Sequence, residues 1–514
     1  MSELPPVGIS GLAAYVPPYR VCLEEWSDWT GNNPEKIRAV VGSSFRMRGS
    51  EQSVYTLAAT AVIRLIRNYE IDPTRVSYLG FGTESSTDNA AGAVIIKGMV
   101  NDGLRALGKA PLPRECEVPE FKHACLGGVY AMKGALRYLA TDGSGRQAIV
   151  VSADLAQYAR GSSGEQTQGA GAVAMLLEEN PKLAAVDLRA AGKSSDYRGA
   201  DFRKPFIRFN QADPGHHGHL NDFPVFNGPY STACYLEATV AALGAMFEKA
   251  DERPSSWLTD LGAIFMHRPY QRMPESGLAL GYLFALARGD ESDRAQLAAY
   301  CEAAGETVDS VVLELNARPA IGEAAEDPSR PAPEAYPQAM NVVRALRSTP
   351  AYQEVVTDKL AYGAELVAEL GNLYTASLPA WIAAGFEDAE ASGVDLAGHR
   401  MLLIGYGSGD AAEAIPCQVV PGWQAAAARI RMADALADPV GLDRHQYELL
   451  HDGRQVQIDR PMSEEFVVTP VGERVDAPVV DEGIEYYRFI ACDCPRLPEA
   501  QARSSGADRA TGLS

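Results

Sequence analysis

The chain has 514 residues, too many for one simple core, so two domains or one large duplicated fold are expected. Hydrophobic residues make up 46%, ordinary for a globular protein, and 67 acidic against 46 basic side chains leave a net charge of −21. That balance excludes a broad nucleic-acid footprint, and any anionic ligand needs a local basic patch.

The N-terminus, MSELPPVGISG, lacks a basic region followed by an apolar run. No stretch of about 20 apolar residues exists to cross a bilayer, so a soluble, cytoplasmic protein is expected. Short apolar runs alternate with longer amphipathic stretches, the pattern of an α/β chain. Val54–Arg67 reads as a helix and Ser77–Phe81 as a buried strand, followed by Thr83-Glu84-Ser85-Ser86. A carboxylate at a strand end faces a cleft, where partial desolvation raises its pKa toward general-base range. A solvated loop glutamate explains the same residue.

Leu104–Pro119 is irregular and proline-rich, and Lys122-His-Ala-Cys125-Leu-Gly-Gly128 follows it. Apolar spacing predicts a helix over Cys125–Ala140. A cysteine at its start meets unpaired N–H groups and the helix dipole, which favour a thiolate. Gly127 and Gly128 leave room for a ligand to approach the sulfur. A buried structural thiol is the alternative. Ala148–Ser152 and Gly171–Leu177 read as further strands. Ala191–Pro224 is irregular, and its His216, His217 and His219 fit a solvated loop better than a metal site.

Tyr235–Lys249 reads as a helix, and Ala263–Met266 as a strand ending in His267-Arg268-Pro269, with a packed histidine as the bland reading. Ala317–Pro337 is proline-rich. Gly371-Asn-Leu-Tyr-Thr-Ala-Ser377 precedes an apolar helix and offers either caps or ligand hydrogen bonds. Met401–Ile404 is a strand leading into Gly405–Gly409, a turn without phosphate-loop spacing, better suited to backbone approach to a ligand. The eight scattered cysteines make no disulfide framework, and Cys492-Asp-Cys494 lacks the partners of a zinc site. Strand ends collect ligand sites in open α/β sheets, so these distant residues can meet.

Together these segments resemble the hydroxymethylglutaryl-CoA (HMG-CoA) synthase family of the thiolase-like superfamily. The resemblance rests on Gly82-Thr-Glu-Ser85, Ala124-Cys-Leu-Gly-Gly128, Gln166–Met175, Asp201-Phe-Arg-Lys-Pro205, Asn227-Gly-Pro-Tyr-Ser231, Met266-His-Arg-Pro-Tyr270, Gly371–Ser377 and Tyr406-Gly-Ser-Gly409. It implies a thiolase-like α/β fold: two duplicated mixed-sheet halves in a layered αβαβα arrangement. The expected divisions are 1–190 with Glu84 and Cys125, 191–490 with His267, and a polar tail over 491–514. It implies that Cys125 takes an acetyl group from acetyl-CoA and that Glu84 removes a proton from its methyl. His267 would orient acetoacetyl-CoA, and water would release HMG-CoA, as in mevalonate and isoprenoid biosynthesis. Thr167, Ser231, Arg272, Asn372 and Ser408 would contact substrate or CoA. No metal or other cofactor is expected, and the expected assembly is a homodimer.

The chain departs from the family at Asn227, usually Asp, at Arg272, usually Lys, and at Leu126, often aromatic. Two further readings compete. One is a relative acting on a β-ketoacyl group held by an acyl-carrier protein, which a basic rim at the site mouth favours. The other is a catalytically silent acyl-CoA-binding or assembly protein, against which the joint presence of Glu84, Cys125 and His267 argues.

Overall fold

The strands with apolar runs join one mixed sheet, covered on both faces. The computed structural model describes residues 5–86, 88–202, 204, 223–225, 227–317, 319, 321, 334–475 and 478–491. The first part of the chain lays down β1 (Val7–Tyr15), the side pair β2 (Tyr19–Cys22) and β3 (Ser44–Arg46), then β4 (Val76–Gly82) and β5 (Glu120–Phe121). β6 (Gln147–Ala156), β7 (Gly169–Glu179) and β8 (Ala184–Val186) follow, and the second part adds β9 (Gly192–Ser195), β10 (Ala263–Met266), β11 (Arg400–Gly407) and β12 (Ala411–Val419). All but β2 and β3 join one ten-stranded sheet, ordered β10-β11-β12-β8-β1-β7-β6-β4-β5, with β9 paired to β12.

The pairings run twice. β4 lies parallel to β6, which is antiparallel to β7, which is antiparallel to β1. β10 lies parallel to β11, which is antiparallel to β12, which is antiparallel to β8. The two series meet where β8 pairs with β1. This is the duplicated thiolase-like arrangement, and it puts Glu84 after β4 in the place that His267 takes after β10.

Helices cover the sheet as the sequence pattern requires. The first is α1 (Leu23–Thr30), leading to α2 (Pro34–Val40). α3 (Val54–Asn68) starts with a Ser53–Thr56 capping box and packs an apolar face on β1, β6 and β7, while α4 (Gly92–Ala106) packs beside it. α5 (Gly127–Leu139) packs on β4 and β6, and its counterpart, the helix Ser377–Ala391, packs on β10, β11 and β1. α6 (Gly228–Phe247), the short α7 (Pro254–Thr259) and α8 (Arg272–Ala287) cover the second series.

α6 begins at Gly228, earlier than Tyr235, because Pro229 pre-sets the first turn. His216, His217, His219, Cys492 and Cys494 lie outside the described residues. Among the described residues, no helix is long and apolar enough to cross a membrane, and no group of three metal-ligating side chains gathers.

Candidate active site

Ala124 carries a φ of 42°, in the left-handed region, and turns the chain sharply before Cys125. α5 starts only at Gly127, with Leu126 as its N-cap, so the cysteine stands just outside the helix expected to include it. The other half repeats the device: Tyr374, at φ 47°, precedes the helix Ser377–Ala391. The thiol of Cys125 is 7% exposed and donates to Glu84 Oε2 at 3.8 Å. Tyr158, Phe202 and Tyr374 form a ring around it, with centroids 5.6 to 6.2 Å apart.

Burial pushes the Cys125 thiol well above its ordinary range, and Glu84, Asp154 and Asp201 push the same way. The expected thiolate is therefore corrected to a protonated thiol, because desolvation and three carboxyl groups outweigh the half charge of a helix end. Burial first, then Asp154, pushes the Glu84 carboxyl up to about 8, against the opposing pull of Lys204 and the Cys125 hydrogen bond. Glu84 thus holds a pKa suited to a base near neutral pH.

Asp154, the charged residue inside the buried run of β6, is the side chain that sequence reasoning missed. Its Oδ1 accepts from Thr83 Oγ1 (3.0 Å), Glu84 N (2.8 Å), Ser85 N (2.9 Å) and Ser85 Oγ (2.7 Å). Its Oδ2 accepts from Thr375 N (2.9 Å) and Thr375 Oγ1. One carboxylate therefore ties the glutamate turn to the matching turn of the other half. Asp201 does similar work beside it, accepting from Tyr406 Oη at 2.6 Å and Gly409 N at 3.1 Å. The signal was present in both cases: an acid inside an apolar strand, and an acid in a quoted motif.

His267 is 2% exposed, and burial pushes it down to about 3, so the imidazole is neutral. Its Nδ1 has no partner among the described residues, its carbonyl accepts from Tyr235 Oη at 3.1 Å, and its ring stacks on Tyr406 at 6.4 Å. A cavity of about 240 Å³ gathers Cys125, Thr167, Ser231, His267, Asn372 and Ser408 in one lining, with Val41, Tyr270 and Met273 toward the mouth. Arg272 is not in that lining; it opens α8 and pairs with Glu275 at 3.7 Å. Asn372 serves both readings, since its Oδ1 also accepts from Tyr374 N at 2.9 Å and Ser377 Oγ at 3.0 Å. A larger groove of about 770 Å³, near Tyr69 and Asn180, holds none of these residues.

The glycines prove to serve packing. A Cβ on Gly128 would lie 2.2 Å from Ser152 Oγ and 3.0 Å from Thr375 O, and one on Gly407 would lie 2.6 Å from His123 O. Close approach of α5 to β6, to the facing turn and to β11 needs Gly128 and Gly407, whereas Gly409 has open space around it and Ser408 lines the cavity.

Asp154→Asn keeps the shape but supplies one acceptor oxygen and removes a charge beside Glu84. We expect a loss of about 2 kcal/mol in a urea titration. The pH limb governed by Glu84 should also move to lower pH, because the charge that raises its pKa is gone. An unmoved limb would show that Asp154 does not set that pKa.

Residues 5–182 match the family described as hydroxymethylglutaryl-coenzyme A synthase N terminal. The chain is 27% identical to a hydroxymethylglutaryl-CoA synthase of Haloferax volcanii over 431 residues, covering 82% of this chain and 85% of that protein. It is 25% identical over 418 residues to the cytoplasmic hydroxymethylglutaryl-CoA synthase of Mus musculus, covering 79% and 70%. Among solved structures it resembles MvaS in complex with 3-hydroxy-3-methylglutaryl coenzyme A, at a TM-score of 0.70 and 26% identity, covering 95% of this chain and 99% of that one. The HMG synthase of the curacin biosynthetic pathway, in complex with holo donor-ACP, shares the fold at a TM-score of 0.66 and 17% identity, covering 94% and 100%.

Proposed function

The chain belongs to the hydroxymethylglutaryl-CoA synthase family, and from that premise we propose that it condenses acetyl-CoA with acetoacetyl-CoA to give HMG-CoA. The observation that carries the reading is the contact of Cys125 Sγ with Glu84 Oε2 at 3.8 Å, behind a cavity that Cys125 and His267 both line. In this reading Cys125 attacks the acetyl thioester; its proton leaves with the departing CoA thiol, and an acetyl-cysteine remains. Glu84 then takes a proton from the acetyl methyl, and the carbanion forms a carbon–carbon bond to the ketone of acetoacetyl-CoA. Neutral His267 hydrogen-bonds that ketone oxygen as charge develops on it, and the alkoxide takes up the proton that Glu84 carries, giving the hydroxyl and freeing the carboxylate. Water cleaves the cysteine thioester, returning the thiol and releasing the product. CoA thioesters are the substrates, and the steps call for no resident metal or redox group.

Charge on the two helices that lead up to Val40 and Val41 in the cavity lining favours CoA over an acyl-carrier protein. The exposed faces of α1 and α2 present Glu24, Glu25, Asp28 and Glu35 beside Lys36 and Arg38. An acidic carrier needs a broad basic face, whereas CoA needs a few cations near its phosphates. We further propose the homodimer usual for thiolase-like proteins as the assembly and, by similarity to the cytoplasmic mouse relative, the cytoplasm as the compartment.

The test loads the enzyme with acetyl-CoA, confirms the acetyl adduct by intact mass, and then offers acetoacetyl-CoA or an acetoacetyl carrier protein. Discharge by acetoacetyl-CoA with HMG-CoA formed is the expected result. Discharge by the carrier alone would assign the enzyme to carrier-bound substrates, and no adduct from any acyl donor would leave a silent binding protein. His267→Ala should still acetylate at a normal rate but lower kcat and kcat/KM for the condensation about tenfold or more, through loss of one hydrogen bond to a developing charge. An unchanged kcat would remove His267 from that role.

A further inference from the structure

Residues 157–168 bring Tyr158, Ser163, Gln166 and Thr167 into the wall of the cavity, yet their regular structure is a single 3₁₀ turn, Glu165–Thr167. Polar contacts hold them instead. The Glu165 side chain, in a residue 3% exposed, accepts from Trp26 Nε1 at 3.2 Å and Tyr447 Oη at 2.5 Å on one oxygen. Its other oxygen accepts from Gly161 N at 2.6 Å. Gln168 accepts from Tyr158 N and donates to Tyr447 Oη, both at 3.1 Å, and His451 Nε2 bonds Tyr158 O at 2.8 Å. Trp26 belongs to α1, while Tyr447 and His451 belong to the helix Arg444–His451, at the other end of the chain. None of Glu165, Trp26, Tyr447 and His451 lines the cavity. Tyr447 is itself fixed by packing against Phe45 and Trp29.

We propose that Glu165 is a positioning residue for the reaction at Cys125: by taking hydrogen bonds from Gly161, Trp26 and Tyr447, it holds the Tyr158–Thr167 wall in place over the thiol. A loop with few backbone bonds moves freely unless side chains fix it, and a displaced Tyr158 opens the aromatic ring around the sulfur. Glu165→Gln is a graded probe. Its carbonyl oxygen can still take Trp26 and Tyr447, but its amide meets the Gly161 N–H donor to donor. Tyr447→Phe keeps the ring and removes two bonds, those to Glu165 and from Gln168, and it carries the test should Glu165→Ala fail to fold.

The measurements are alkylation of Cys125 by iodoacetamide, mapped by mass spectrometry, and KM against kcat for acetyl-CoA. In Glu165→Ala, Cys125 should alkylate about tenfold faster, the equivalent of one or two lost hydrogen bonds. The buried Cys234 and Cys417 should stay protected. KM should rise more than kcat falls, with Glu165→Gln and Tyr447→Phe shifted in the same direction by less. Unchanged alkylation and KM in Glu165→Gln and Tyr447→Phe would overturn the proposal, as would exposure of Cys234 and Cys417 together with Cys125. The KM arm rests on the proposed condensation, whereas the alkylation arm does not. A wild-type protein that acetyl-CoA fails to acetylate therefore sinks the substrate reading and leaves the positioning role to be judged by alkylation.

Discussion

Cys125→Ala is expected to form no acetyl adduct with acetyl-CoA and to lose turnover by at least about 10⁴-fold, the scale on which removal of a nucleophile acts. The reason lies in what surrounds the sulfur. In the proposed mechanism it is the group through which the acyl chain is held, and no other described cysteine lines the cavity. Truncation leaves only a small gap among Tyr158, Phe202 and Tyr374, so the stability cost should stay near about 1 kcal/mol. A folded, inert variant is thus the expected outcome, checked by intact mass and a melting curve. An adduct that survives in the alanine variant would move the nucleophile elsewhere. The wild-type thiol carries a second expectation. Because burial and three carboxyl groups raise its pKa, alkylation without substrate should be slow at neutral pH and should accelerate as pH rises past the ordinary thiol range. Fast, pH-independent alkylation near pH 7 would mean a thiolate.

That protonated state separates this site from one built on a free thiolate. A thiol that waits as an acid needs a nearby acceptor, and Glu84 is that acceptor at 3.8 Å. In the proposed mechanism the thiol proton leaves with CoA, and the same carboxyl then meets the acetyl methyl once the sulfur is acylated.

The apolar runs at residues 77–81, 148–152, 171–177, 263–266 and 401–404 were legible as strands because each is buried on both faces and rich in branched or small apolar residues. Glu84 and His267 were legible because each ends such a run. Asp154 was legible only as an acid inside an apolar strand: its role depends on donors at Thr83, Glu84, Ser85 and Thr375, which only the tertiary fold brings together. The charge state of Cys125 was hidden for the same reason, since helix position is local but Asp154 and Asp201 arrive from elsewhere. Glycines at 127, 128, 405 and 407 looked like room for a ligand, and only the packed structure shows that neighbouring chain fills that room. Arg272 followed the histidine at the expected distance but is not in the lining, where its chain neighbour Met273 stands.

Glu84→Gln should separate the two half-reactions and also reverse the usual sign of a site mutation on stability. The amide cannot take a proton from the acetyl methyl, so condensation should fall by about 10³- to 10⁴-fold, the upper range for a lost general base. Acetylation should slow less, because the departing CoA can carry the thiol proton away. An acetyl-enzyme that accumulates and is not discharged by acetoacetyl-CoA is the expected signature by intact mass. In the wild type, the condensation rate should rise with pH to a plateau governed by a group near 8, since the base works ionised and its pKa is pushed up to about 8. That limb should vanish in the variant. The stability sign follows from the same shift. A carboxyl raised from 4.5 to about 8 on folding is tolerated fully below its ordinary value and becomes a burden as pH climbs through the folded one. Glutamine has no such charge to bury beside Asp154. Glu84→Gln should therefore melt at a higher temperature than the wild type at about pH 9, with the gain shrinking toward about pH 4. A variant that turns over normally, or whose melting difference is flat across that range, would mean that Glu84 is neither the base nor a strained carboxylate. A loss of condensation together with a pH-dependent gain in stability would show that the pKa suited to proton abstraction is maintained by an unfavourable burial of charge.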